Sequence, residues 1–262
     1  MSALIWLSVL AKAVSTTIVV VSASLAAQAL GPFWGALIAR LPVSAGPAYI
    51  FLALEHEPEF LAKSALYSAV ANAATGLFLI LFVLLGRHIS FWPCLAVATT
   101  FWLSSSFVLQ SIDWTTSGVV ALNLLVYAPS MYLLKKDDPK VSSGPSFLPR
   151  PSELAVRAGA VALFVTIIVT VSNLLGPTVT GFAAVFPISL ISLLVILHSR
   201  VGGSAAVHVA INALAPMLGF CAMLLVISST TSSYGIAIAF SLGLTISLIW
   251  SGVLGILKSC EK

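Results

Sequence analysis

Charge is what this sequence has least of. Only 8% of its 262 residues are Asp, Glu, Lys or Arg, against about 25% in a soluble domain. With 60% of residues hydrophobic and a mean hydropathy of +1.11, the chain lacks the polar surface a water-soluble fold needs. Cysteine is scarce too. Cys94, Cys221 and Cys260 stand apart without CxxC spacing, so neither a disulfide framework nor a thiolate metal site is indicated, and the three read as apolar filler. Phosphate-binding loops, dinucleotide fingerprints, HExxH and nucleophile-elbow motifs are missing. The apolar runs also hold no paired carboxylates and no nucleophile with a base, so no catalytic residue, metal or cofactor is expected, and the chain does not read as an enzyme. Ten-residue alternating segments, the mark of a membrane barrel, do not occur.

What is present is a series of long uncharged runs. Several exceed the roughly 18 residues needed to cross a bilayer core. Backbone polar groups must be satisfied internally there, so each run reads as a helix. Charge and turn residues divide the chain into about nine spans: 3–30, 31–54, 61–85, 89–110, 115–134, 154–175, 177–197, 204–227 and a last one ending near 257. The first reads as a retained span rather than a signal peptide, because no basic residue opens it. The one long polar stretch, from Lys135 to Arg157, is a linker.

The net charge of +4 does not point to nucleic acid, because the basic residues sort by side. Nine spans put Arg87, Lys135, Lys136, Lys140, Arg150, Arg157, Arg200, Lys258 and Lys262 on one face, and Glu55, Glu57, Glu59, Lys63 and Asp113 on the other. The positive-inside rule makes the first face cytoplasmic. The expected location is a bacterial inner membrane, with the N-terminus outside, the C-terminus inside and lipids as neighbours.

The chain also repeats itself. Gly31-Pro32, Pro42 and Ser44 recur at an offset of 145 as Gly176-Pro177, Pro187 and Ser189, and the same offset relates Lys12 to Arg157 and Gln28 to Asn173. Beyond a shorter loop the offset is 140, matching Ser64 to Ser204 and Asn72 to Asn212. These residues are uncommon in generic spans, so a duplication is indicated. The implied units are a four-helix repeat over 1–112, a connector helix with linker over 113–152, and a second repeat over 153–262. An odd connector span inverts the second repeat, a plan common among transporters. The expected fold is therefore an all-α integral membrane protein with a 4+1+4 inverted-topology internal repeat.

The segment Gly-Pro-x-x-Gly-Ala-Leu-Ile-x-x-Leu-Pro-x-Ser, from Gly31 to Ser44, resembles the second helix of the GlpM-like family of small four-span inner-membrane proteins. Lys12 and Pro42 fit that pattern, and Arg157 and Pro187 fit it again. The resemblance implies a fused pair of such units and an accessory role in envelope or polysaccharide assembly.

Polar groups within a bilayer are functional candidates by default. Pro42 with Ser44 and Pro187 with Ser189 are expected to kink two helices near the midplane and free backbone carbonyls; a plain structural kink is the competing reading. His208, Asn212 and Pro216 share one helical face, as do Ser68, Asn72 and Gly76. That double stripe fits a solute path or, equally, interhelical bonding. Arg40 is either a fixed cavity charge favouring an anionic solute or a snorkelling side chain. Lys12 and Arg157 read as interfacial anchors, and the loop from Glu55 to Glu59 as a solvated acidic loop. The leading expectation is a permease for a small solute, anionic if Arg40 faces the cavity, passing Arg40, Pro42, Ser44, Asn72, Pro187, Ser189, His208 and Asn212. The alternative is a non-transporting accessory protein. A fused pair leaves both monomer and homodimer open.

Overall fold

The computed structural model describes residues 2–29, 45–135 and 150–260. Among them the chain is helical, without strands, in nine helices: α1 Ser2–Ala29, α2 Ala45–Glu55, α3 Pro58–Leu85, α4 Phe91–Leu109, α5 Thr116–Lys135, α6 Pro151–Ala184, α7 Ile188–Arg200, α8 Gly203–Tyr234 and α9 Ile236–Cys260. Among the described residues, six helical segments are long and apolar enough to cross a membrane. Arg40, Pro42, Ser44 and the Gly31-Pro32 turn lie outside the described residues.

Helix starts follow local chemistry. Pro58 opens α3 and Pro151 opens α6, positions where a missing N–H removes nothing. Glu153 Oε2 accepts the Arg150 backbone N–H at 2.9 Å, which satisfies one donor at the α6 start. Gly202 and Gly235, with φ of 108° and 81°, flank α8 at turns that a side chain would strain.

The centre is the α3–α8 pair. α3 also packs against α4, α5 and α6, and α8 against α5, α7 and α9. α3 is buried along most of its length, from Leu61 to Val83. The two central helices run antiparallel: Lys63 and Tyr67 line one cavity with Ser228 and Ser232, while Phe82 and Gly86 line another with Gly203 and Val207. Small residues set the close approaches. A Cβ at Gly76 would lie 2.6 Å from Val126, and one at Gly219 would overlap the Trp250 ring. Such contacts replace the hydrophobic drive that helices lack in lipid.

The seventh span differs from its expected form. Pro151–Arg200 is a 50-residue helical segment, about 75 Å if straight, against a hydrocarbon core of about 30 Å. It folds back in three pieces. Gly176, at φ 71° and ψ 171°, turns the chain. The helical stretch 177–184 then ends, Val185 to Pro187 are non-helical, and α7 follows with 13 residues. Pro187 therefore interrupts the span rather than kinking a continuous helix. Proline lacks the N–H that would bond back one turn, and it pushes the preceding residue out of the helical region. The described part of the second span is also short: α2 has 11 residues.

Candidate functional site

The interruption lies level with the middle of the first part of α6. Residues 151–175 of α6 extend about 37 Å, and Phe164, near their middle, packs on Phe186 with ring centroids 5.4 Å apart. Trp102 of α4 meets Phe186 edge-on at 5.1 Å. The Trp102 indole donates to Thr75 Oγ1 at 3.0 Å, midway along α3. Phe164 of α6 and Trp102 of α4 thus close on Phe186 in the broken backbone.

Stretch 177–184 is held by α3. Ser64 Oγ donates to the Pro177 carbonyl at 3.1 Å and Ser68 Oγ to the Gly181 carbonyl at 2.5 Å. Tyr49 of α2 donates to Ser68 Oγ at 2.7 Å. The Gly181 carbonyl would ordinarily bond the Val185 N–H, but that N–H bonds Phe182 at 3.3 Å as the helix ends. Ser68 satisfies the carbonyl released there, as a buried terminus requires. The approach is so close that a Cβ on Gly181 would overlap the Ser64 carbonyl.

Ser189, at the start of α7, accepts from Arg157 of α6, with Nη2 at 2.8 Å and Nε at 3.3 Å. Pro187, Ser189 and Arg157 are thus brought together. Asn72 is elsewhere, fully buried. Its Nδ2 donates to Asn123 Oδ1 at 2.9 Å and to the Met217 carbonyl at 3.1 Å, and its Oδ1 has no partner among the described residues. Asn123 Nδ2 donates to the carbonyls of Ala69 and Val119, both at 2.9 Å, and Tyr127 Oη to the Asn72 carbonyl at 2.6 Å. Asn212 and His208 lie on a more open surface of α8, where Asn212 Nδ2 donates to the His208 carbonyl at 2.9 Å. The two asparagines therefore do not face one another.

A cavity of about 390 Å³ sits at the α3 start, lined by Glu59, Lys63, Tyr67, Asp113, Trp114 and Ser228. One of about 210 Å³ sits at the α3 end, where His198 stacks on Phe91 at 4.0 Å. The Asn72 cluster and the interruption lie between them. In the Glu55–Glu59 loop, Glu55 pairs with Lys12 at 2.6 Å. His56 stacks on Phe60 at 3.7 Å, and its Nε2 lies 2.6 Å from Ser172 Oγ. Ser172 spends its proton on the Val169 carbonyl, so His56 Nε2–H is the donor in that contact. Burial lowers the His56 pKa, Glu55 opposes this, and Lys12 adds to it.

Sequence reasoning missed Trp102, Asn123, Tyr127 and Gly181. Asn123 carried the same signal as Asn72, a carboxamide inside an apolar run. The fold is that of an all-α chain whose helices have the length and apolarity of a membrane-embedded bundle. No protein-family model, no curated protein and no solved structure matches the chain.

Proposed function

We propose that this protein is a non-enzymatic permease of a bacterial inner membrane, moving a small anionic solute between two inverted repeats. The observation that carries the reading is the span interrupted at Val185–Pro187. Broken helices at mid-depth expose backbone and side-chain dipoles where solutes cross, and transporters with inverted repeats use them in this way.

Two relationships support inverted repeats. The matched helices α3 and α8 run antiparallel, as inversion requires. In addition, Trp102 donates to Thr75 on α3, and Trp250 donates to the Ala215 carbonyl on α8 at 2.8 Å. Thr75 and Ala215 are 140 residues apart, the offset that relates Asn72 to Asn212. Each repeat thus sets an indole against the middle of its central helix. The basic residues at 87, 150, 157 and 200 support a cytoplasmic linker side, with the N-terminus outside.

The accessory reading, in envelope or polysaccharide assembly, draws on the GlpM-like pattern and on the dry packing around Asn72. Metabolite profiling of a deletion strain, followed by uptake of the altered solutes into vesicles, separates the two. Uptake that depends on the wild-type chain and falls in Pro187→Ala supports transport. No solute-dependent difference in cells or vesicles overturns it in favour of the accessory role.

A further inference from the structure

Glu153 and Arg157 stand at i and i+4 on α6 with the acid on the N-terminal side, the favourable order for an intrahelical ion pair. The pair is not made. Glu153 Oε2 instead accepts from Arg200 Nη1 at 3.1 Å, across to the end of α7, and from the Arg150 N–H at 2.9 Å. Arg157 extends the other way, to Ser189.

That direction is inward. The Glu153–Arg200 contact fixes one end of the antiparallel α6–α7 pair, and the Phe164–Phe186 contact fixes the level of the interruption. Arg157 leaves α6 about 6 Å along the helix from Glu153 and reaches toward the interruption. Cα–Cβ bonds lean toward a helix N-terminus, so the easy, snorkelling course runs back to the membrane face. The guanidinium takes the opposite course. It ends on one neutral hydroxyl, and among the described residues no carboxylate pairs with it. A guanidinium carries five donors in a fork that fits oxyanions. The matched residue of the first half, Lys12, is neutralised by Glu55 at 2.6 Å. Arg157 and Ser189 are both only half-buried, so part of the fork remains exposed beyond the Ser189 contact.

We infer that Arg157 and Ser189 form a binding site for one oxyanionic group, a carboxylate or a phosphate, at the interrupted span. Arg157 supplies the bidentate charge and Ser189 holds the guanidinium at that depth. The group belongs either to a soluble anion or to a lipid headgroup. The inference deepens the transport reading by naming the solute's recognised group, and it rests on that reading for its role in flux.

The test is binding to the purified full-length chain, read as a shift in unfolding temperature. One arm titrates inorganic phosphate against chloride at constant ionic strength in neutral detergent. The other compares phosphatidylcholine nanodiscs with and without phosphatidylglycerol. A phosphate-dependent shift in wild type, weakened about tenfold or more in concentration dependence by Arg157→Gln and less by Arg157→Lys, supports a soluble anion. An Arg157-dependent shift with phosphatidylglycerol alone supports a headgroup. Equal responses of wild type and Arg157→Gln in both arms overturn the site. Should Arg157→Gln not fold, Ser189→Ala carries the test, and wild-type affinity in that variant overturns the inference. Binding without vesicle uptake counts against transport alone, while uptake without Arg157-dependent binding counts against this site alone.

Discussion

The carboxamides of Asn72 and Asn123 meet head to tail at 2.9 Å in the buried centre of the bundle. With the Met217 carbonyl at 3.1 Å, they tie α3, α5 and α8 into one unit. Asn123 satisfies both of its N–H groups on carbonyls of α3 and α5. The centre is therefore a polar clasp between helices, and a ligand is not needed to explain most of its bonds.

Replacing either asparagine by alanine should lower stability by about 1 kcal/mol, with a coupling of about 0.6 kcal/mol between the two sites. A double-mutant cycle of unfolding in detergent measures the coupling. Additive losses would show that the pair does not act as a clasp.

Gly181→Ala should destabilise the protein by about 1–3 kcal/mol, because its Cβ meets the backbone of Ser64 and neither can withdraw. Gly159→Ala is the control, with nothing within 4 Å of the added carbon. It should be neutral or slightly stabilising through helix propensity. Equal effects of the two substitutions would mean that 177–184 is not docked on α3.

His56 gives the fold a pH dependence of known sign. Its folded pKa is lowered from 6.5, chiefly by burial, so the unfolded chain takes up the proton first. The contribution is complete above about pH 6.5 and is lost as acid lowers the pH toward the folded pKa. Unfolding temperature should therefore fall from pH 7.5 to 5.5 more steeply in wild type than in His56→Gln. Parallel curves would remove His56 as the cause.

Reporter fusions after Gly86 and Gly202 should both read as cytoplasmic, and one at Asp113 as external. Gly86 and Gly203 line the same cavity, so opposite readings at the first two positions would contradict the fold as well as the orientation.

Much of this was legible in the chain. Low charge and long apolar runs led to a helical membrane bundle, and the Gly176-Pro177 and Pro187-Ser189 matches marked the stretch that proves to be interrupted. What escaped depends on tertiary choice. The Arg157–Ser189 contact was hidden because nothing local shows that Arg200, on another helix, takes Glu153. Trp102 and Trp250 stand 148 residues apart, so a search at a fixed offset does not pair them. The expected meeting of Asn72 with Asn212 failed because Asn72 reaches Met217, more than one turn further along α8, while Asn212 lies on the exposed side of that helix.

The interrupted span also bears on how the chain is made. Residues 177–184 are about 12 Å of helix and α7 about 20 Å, and neither alone is long enough to be taken into a bilayer as a crossing. The hydroxyls that receive the first piece, Ser64 and Ser68, belong to α3 and precede their partners Pro177 and Gly181 by 113 residues. The first half of the chain is thus a template in place before its guest is synthesised. A permuted chain beginning near residue 150 would emerge in the reverse order, with a half-crossing and no docking groove waiting for it.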